Sequence, residues 1–264
     1  SSWHGVTLQS NFTWSRSLGT GSQVQATSQY SANDPFYLGR SYGYQPWDRK
    51  FMFNVWFTYT PAVYQGQHGL LGHVLGGWTF APILDMGSGL PVGVYTGQWA
   101  SSAYTGGQSF GGMDSNNIGD YENAVNICGS NSFSTSRHNH FSPGTQSFGS
   151  NAPANMFQNP EAVYNCFRNP ILGVDNGHNG GVGNLRGMPF WNVDFNIKKN
   201  ILITERLGAE FGAVFSNVFN HNQLADPGQT YLTDPADFGS LETGGGALEV
   251  NNPRKIEVSV RLKF

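Results

Sequence analysis

Arg137-His-Asn-His140 sets two histidines two residues apart, a spacing at which imidazoles can share a metal ion. A stable site takes three or four ligands, each held by further hydrogen bonds. No other Cys or His cluster adjoins the pair, and only folding would bring His178 near it, so a solvated loop is expected and no metal is assigned. Gly177-His-Asn-Gly-Gly-Val-Gly-Asn-Leu-Arg-Gly187 has the glycine density of a phosphate-cradling loop. That chemistry needs a strand before the glycines and a helix after them. Here Met188-Pro189 and a strand pattern follow, so a turn is expected instead. The scattered serines, histidines and aspartates read as loop residues, and no spacing suggests a carboxylate pair. The chain is expected to be no enzyme and to hold no cofactor.

A second set of charges has a clearer pattern. Asp85, Asp194, Lys198, Glu210, Glu257, Arg261 and Lys263 occupy polar positions of segments that alternate apolar and polar residues. Polar faces of a barrel line its lumen and pair across neighbouring strands. A structural lumen role is therefore expected for them, against one another or against a plug.

The elements that would carry these residues are strands. Period-two alternation dominates the chain, and amphipathic helical periodicity is nearly absent. Val6–Trp14 aligns Val6, Leu8, Phe12 and Trp14, and Phe51–Tyr59 aligns Phe51, Phe53, Val55, Phe57 and Tyr59. A third run begins at Gly77-Trp78 and passes through Phe80, Pro82, Leu84 and Met86. A fourth, from Phe190 to Lys199, aligns Trp191, Val193, Phe195 and Ile197. The fifth, Leu207–Phe215, aligns Ala209, Phe211, Ala213 and Phe215 over small residues on its other face. The sixth closes the chain with Ile256, Val258, Val260, Leu262 and Phe264. These runs are about nine to eleven residues long, the length a tilted strand needs to cross a bilayer.

Alternation alone suits a soluble sandwich equally well. Three further features favour lipid. Charged residues are only 12% of the 264 while aromatics reach 14% and Gly numbers 35, a balance unlike that of a soluble globule. The aromatics Trp3, Trp14, Tyr59, Trp78, Trp191 and Phe264 fall near strand ends, as interfacial girdles do. Connections alternate in length: Asn200–Arg206 and Pro61–Gly76 are short or moderate, whereas the gaps 15–49, 87–189 and 217–253 are long. Short periplasmic turns and long extracellular loops are the pattern of outer-membrane barrels. The expected fold is thus an all-β, antiparallel transmembrane barrel segment of about six long strands, one unit over 1–264. Its stretch 87–189 is read as a large folded extracellular excursion, with short strands expected at Val92–Tyr95 and Ala124–Cys128 and short helical turns near Pro160–Tyr164.

A net charge of −3 and the lack of a Lys/Arg cluster exclude a nucleic-acid partner. Apolar runs of about 18 residues, the mark of a spanning helix, are missing. Cys128 and Cys166 lie in polar, Gly-rich sequence and are expected to form a disulfide in an exported chain, two free thiols being the alternative. The first residue is Ser, which reads as a mature product or a fragment.

Several stretches resemble one family. They are Val6–Leu18, Trp47-Asp-Arg-Lys-Phe51, Leu71–Trp78 followed by Ser88-Gly-Leu-Pro91, Asn184–Asp194 and Phe211-Gly-Ala-Val-Phe-Ser-Asn-Val-Phe-Asn-His221. All are similar, in this order, to the C-terminal part of TonB-dependent outer-membrane receptors of the Oar-like branch, which carry carboxypeptidase-regulatory-like domains. The resemblance implies a transporter of the Gram-negative outer membrane, non-catalytic, with extracellular loops that contribute to substrate capture. It also implies a larger barrel around a plug, of which this stretch is expected to supply about six strands. About six strands do not close a barrel, and open edges in lipid leave backbone groups unpaired. The expected partners are outer-membrane lipid together with the remainder of barrel and plug, or copies of the chain itself. A self-assembling fibre or homo-oligomer, or a small porin- or adhesin-like barrel, is the alternative. The terminal Phe264 resembles the C-terminal signal for barrel insertion.

Overall fold

The structure, a computed structural model, describes residues 2–20, 39, 42–96, 123–129, 155–169, 183, 185–204, 206–221, 223, 226, 230–232, 235, 238–241 and 253–264. Each alternating run forms a strand: β1 (Val6–Trp14), β2 (Phe51–Tyr59), β3 (Trp78–Gly87), β4 (Phe190–Leu202), β5 (Gly208–Ser216) and β6 (Lys255–Lys263). The two-residue strand Ser2–Trp3 folds back on β1 through His4 and Gly5, both at positive φ. Together they make one seven-stranded antiparallel sheet in which every strand lies beside its sequence neighbours. Such a meander needs only local crossovers, so loop length is free to vary at one end. The result is an all-β architecture, as expected, with the sheet open. Among the described residues no strand pairs with the outer edge of β6.

Two details of the sheet have simple causes. β4 runs three residues past the expected Lys199, because the β4–β5 turn is tight. The N–H groups of Ile203 and Thr204 both donate to Leu207 O at 2.9 Å, and Thr204 Oγ1 accepts from Leu207 N at 3.0 Å. The polar run Lys198-Lys199-Asn200 hid that extension in the sequence. The β2–β3 ladder pairs Trp56 with Ile83 and next Tyr59 with Phe80, skipping the positions opposite Ala81 and Pro82. Proline has no N–H to give the ladder.

The β2–β3 connection, read from the sequence only as one of moderate length, contains helix α1 (Gly69–Leu75). Seven residues are too few for helical periodicity to register against the surrounding strands. Gly76 ends the helix where a side chain is impossible, since a Cβ there would lie 2.1 Å from Tyr64 O.

The buried core is not in the sheet. It sits in the long connections, where Val94, Ala124, Met156, Phe157, Val163, Phe167, Leu185, Met188, Phe238 and Leu241 pack together. These residues come from the β3–β4 and β5–β6 connections. The short helix α2 (Pro160–Tyr164) contributes Val163. It starts at Asn159, whose Oδ1 accepts from Ala162 N at 3.0 Å, with proline at its first turn, where no N–H is needed. Two-residue ladders stitch the cap: Val125–Asn126 with Phe167–Arg168, Pro91–Val92 with Leu185–Arg186, and Leu18–Gly19 with Gly43–Tyr44. Cys128 and Cys166 are disulfide-bonded across 38 positions.

Candidate functional site at the loop rim

The register divides the sheet into two faces. Val6, Leu8 and Phe12 stand opposite Tyr59, Phe57 and Phe53, and Val55 and Phe53 stand opposite Leu84 and Met86. Leu84 then meets Val193, Phe80 meets Ile197, and Phe195 meets Phe215. Phe211 pairs with Val260, Phe215 with Ile256, and Ala213 and Ala209 with Val258 and Leu262. All the residues expected to face lipid therefore share one continuous face across six strands. Trp14 and Trp191 stand on it at the long-loop end, and Tyr59 and Trp78 at the short-turn end. Phe264, following β6 at the short-turn end, is almost wholly exposed. The side chain of Trp3 and the residues His138, His140 and His178 lie outside the described set.

Asp85, Asp194, Lys198, Glu210, Glu257 and Arg261 share the opposite face. Asn54 Nδ2 donates to Asp85, and Glu210 bonds Lys263 at 2.6 Å with Arg261 directly across the ladder. Asp194 Oδ1 accepts from Asn192 at 2.9 Å and from Asn217 N at 2.8 Å. This face also carries Met52, Trp56 and Ile83, apolar residues that the polar alternation did not advertise. The converse exception is Lys199, a charge on the apolar face and directly opposite Trp78.

Most of the polar chemistry gathers at the rim where the long loops leave the strands. Asp48 is almost fully buried and forms an ion pair with Arg186, 138 positions away. Arg186 also donates to Asp48 O at 2.9 Å and lies over the Tyr44 ring at 4.5 Å. Next to it, Arg49 donates to Ser88 O and covers the Phe190 ring at 4.6 Å. Ser88 Oγ accepts from Lys50 N at 2.8 Å, and Asp226 Oδ1 accepts from Met188 N at 3.0 Å. Gly187 is the hub: a Cβ there would sit 1.8 Å from Asp226 Oδ1. A second knot closes the β5 exit. Asn217, at φ 51°, binds its own loop through His221 N at 2.8 Å and His221 O at 3.0 Å. The His221 ring stacks on Trp191 at 4.0 Å.

Burial sets the electrostatics of the rim. It raises the Asp226 carboxyl above its ordinary value, against the Met188 N–H and Arg49, which pull it down. Burial also lowers the Arg49 guanidinium, with Asp226 opposing, and lowers the His221 imidazole. Beside this clamp a cleft of about 240 Å³ is lined by Pro46, Leu90, Val92, Tyr95, Asp226 and Tyr231, among others. Tyr95 and Tyr231 pack ring to ring at 5.7 Å. Two tyrosines and one carboxylate give the cleft an amphipathic lining of the kind small ligands occupy. No group of three or more metal-ligating side chains occurs among the described residues. The spacing Gly107-Gln-Ser-Phe-Gly111 also fits a nucleophile elbow, but it lies outside the described residues. Such a serine needs a strand-to-helix turn over a parallel sheet, and the large sheet here is antiparallel.

Asp48, Arg49 and Arg186 were not singled out by their chemistry, because no spacing rule joins residues so far apart. Their signal was present in the stretches Trp47–Phe51, Ser88–Pro91 and Asn184–Asp194, which the fold brings to one rim. Asp226 lies in none of them.

No curated protein and no solved structure matches the chain. A protein-family model described as outer membrane beta barrel domain matches residues 1–257. One apolar and one polar face on an antiparallel meander, with long connections at a single end, agree with that match: the chain belongs to the outer membrane beta barrel domain family.

Proposed function

We propose that this chain is the C-terminal barrel part of a TonB-dependent outer-membrane receptor, non-catalytic, whose long loops face outward and contribute to substrate capture. The observation that carries the reading is the cap: the long connections leave one end of the meander and fold on their own core beside a cleft. In this reading the apolar face meets lipid and the polar face lines the lumen.

The outer edge of β6 favours one second reading, self-assembly of copies by strand addition. Native mass spectrometry on protein extracted from outer membranes separates the two. The receptor reading expects this segment inside a larger closed barrel with a plug. An assembly whose mass is a multiple of 28.8 kDa would replace it with the self-assembling reading.

A further inference from the structure

Among the described residues, helix α1 presents an apolar side that neither the sheet nor the cap covers. Leu70, Leu71, Val74 and Leu75 are 83%, 64%, 55% and 47% exposed. At this spacing the four side chains share one side of the helix. Gly72 is buried on the other side, where a Cβ would meet the Gln67 backbone at 2.7 Å. Gln67 ties the segment to the sheet, donating to Asn200 O at 2.7 Å and accepting from Leu202 N at 3.0 Å.

The helix also has a fixed relation to the apolar face. Lys199, the charge on that face, is 8% exposed because its ammonium group is folded under the end of α1. It donates to Val74 O at 3.1 Å and to Gly76 O, and lies over the Trp78 ring at 5.0 Å. Trp78 Nε1 donates to Val74 O at 2.9 Å. Carbonyls at a helix C-terminus have no partner within the helix, and they favour a cation. The last turn of α1 therefore stands against the apolar face, at the foot of an aromatic band. Trp78, Tyr59 and Phe195 each stack on Phe80, with centroids 6.1 to 6.4 Å apart.

We propose that α1 is a lipid-contacting foot of the barrel. Leu70, Leu71, Val74 and Leu75 insert into the bilayer interface at the short-turn end, while the helix end shields Lys199 from hydrocarbon. The occupant follows from continuity. The exposed side of α1 extends the apolar face just where its aromatic band ends, and helices with one apolar side lie in the interfacial plane. The inference rests on that face meeting lipid, and its test separates the two claims.

Both native cysteines are bonded to each other, so an introduced thiol is the single labelling site. Leu71→Cys and Val74→Cys are each labelled with an environment-sensitive fluorophore in the full chain, in phosphatidylethanolamine/phosphatidylglycerol vesicles. Val258→Cys on β6 serves as the control. The expected result is blue-shifted emission at 71 and 74, lost to shallow spin-labelled lipids more than to deep ones and indifferent to iodide. The control should be quenched by the deep lipids. Helix labels that iodide quenches, or that neither iodide nor lipid reaches, overturn the foot while a lipid-quenched control leaves the barrel reading standing. A control that reads water removes the lipid face and the foot together.

Discussion

In the loop cap, Phe157 and Phe238 stack at 5.9 Å and both are about 1% exposed; on β6, Val258 is 75% exposed. The two regions use similar side chains to opposite ends. The cap folds by removing apolar area from water onto itself, at roughly 25 cal/mol per Å². The sheet buries little of its apolar face against protein, and that face needs a different solvent. Outer-membrane strands supply backbone pairing internally and leave side-chain burial to the bilayer. The same composition can therefore encode a water-stable cap on a lipid-stable sheet, with the rim of Asp48, Arg49, Arg186 and Asp226 joining them.

Breaking that joint is expected to have the largest effect. Arg186→Met leaves the Asp48 carboxylate buried without its ion-pair partner, which costs about 3–5 kcal/mol where such a pair is interior. Because the Arg186 side chain is 31% exposed, the lower end of that range applies. Limited proteolysis should show the cap cut rapidly while the strands in lipid stay protected. If sheet and cap become labile together, they form one cooperative unit and the contrast fails.

Next comes a test of the sheet itself. Val258→Arg places a cation on the apolar face and is expected to cost about 2–4 kcal/mol near the bilayer midplane. Val214→Arg lies on the opposite face, directly across from Glu257, where the new charge gains a partner. Denaturant titration in lipid vesicles should separate the pair by at least a kcal/mol or so. Equal losses for both would mean the faces are assigned to the wrong solvents.

The contrast explains what the sequence disclosed. β1 and β2 were legible to the residue, because alternation in a strand with one apolar face is strict and local. The cap was legible as a folded excursion with a cysteine pair, short strands near Val92–Tyr95 and Ala124–Cys128 and helical turns near Pro160–Tyr164, but not as a packed core. Its core joins Val94, Phe157 and Phe238, far apart in the chain, and short strands of two residues carry no periodic signal. Lys199 was hidden for a different reason: beside Lys198 it reads as an ordinary polar pair. Only the register shows that one of the two lysines sits on the apolar face under α1.

Removing the disulfide probes the cap alone. Cys128→Ser with Cys166→Ser opens a closure of 38 positions. Loop-entropy reasoning gives a loss of about 2–4 kcal/mol. Protease half-lives of the cap should fall with no change in the heat-modifiable migration expected of the barrel. Equal resistance with and without the bond would place cap stability in the Phe157–Phe238 core.

The smallest effect is on pH dependence, and it too should fall on the cap. The folded Asp226 carboxyl is raised above its ordinary value, so the folded state prefers it protonated. Its contribution is complete below the ordinary carboxylate range and declines as pH rises through the raised value. His221 runs the other way. Burial lowers its imidazole, so its contribution is present above the ordinary imidazole value and is lost as pH falls through the lowered one. Asp226→Asn keeps an oxygen for Met188 N and removes the charge, so it should erase the acid-side slope of cap stability and spare the imidazole-side slope. His221→Phe keeps a ring against Trp191 and should do the reverse. Protease susceptibility of the cap across pH reads both slopes. A wild-type profile left unchanged by both substitutions would move the pH response of the cap away from the rim.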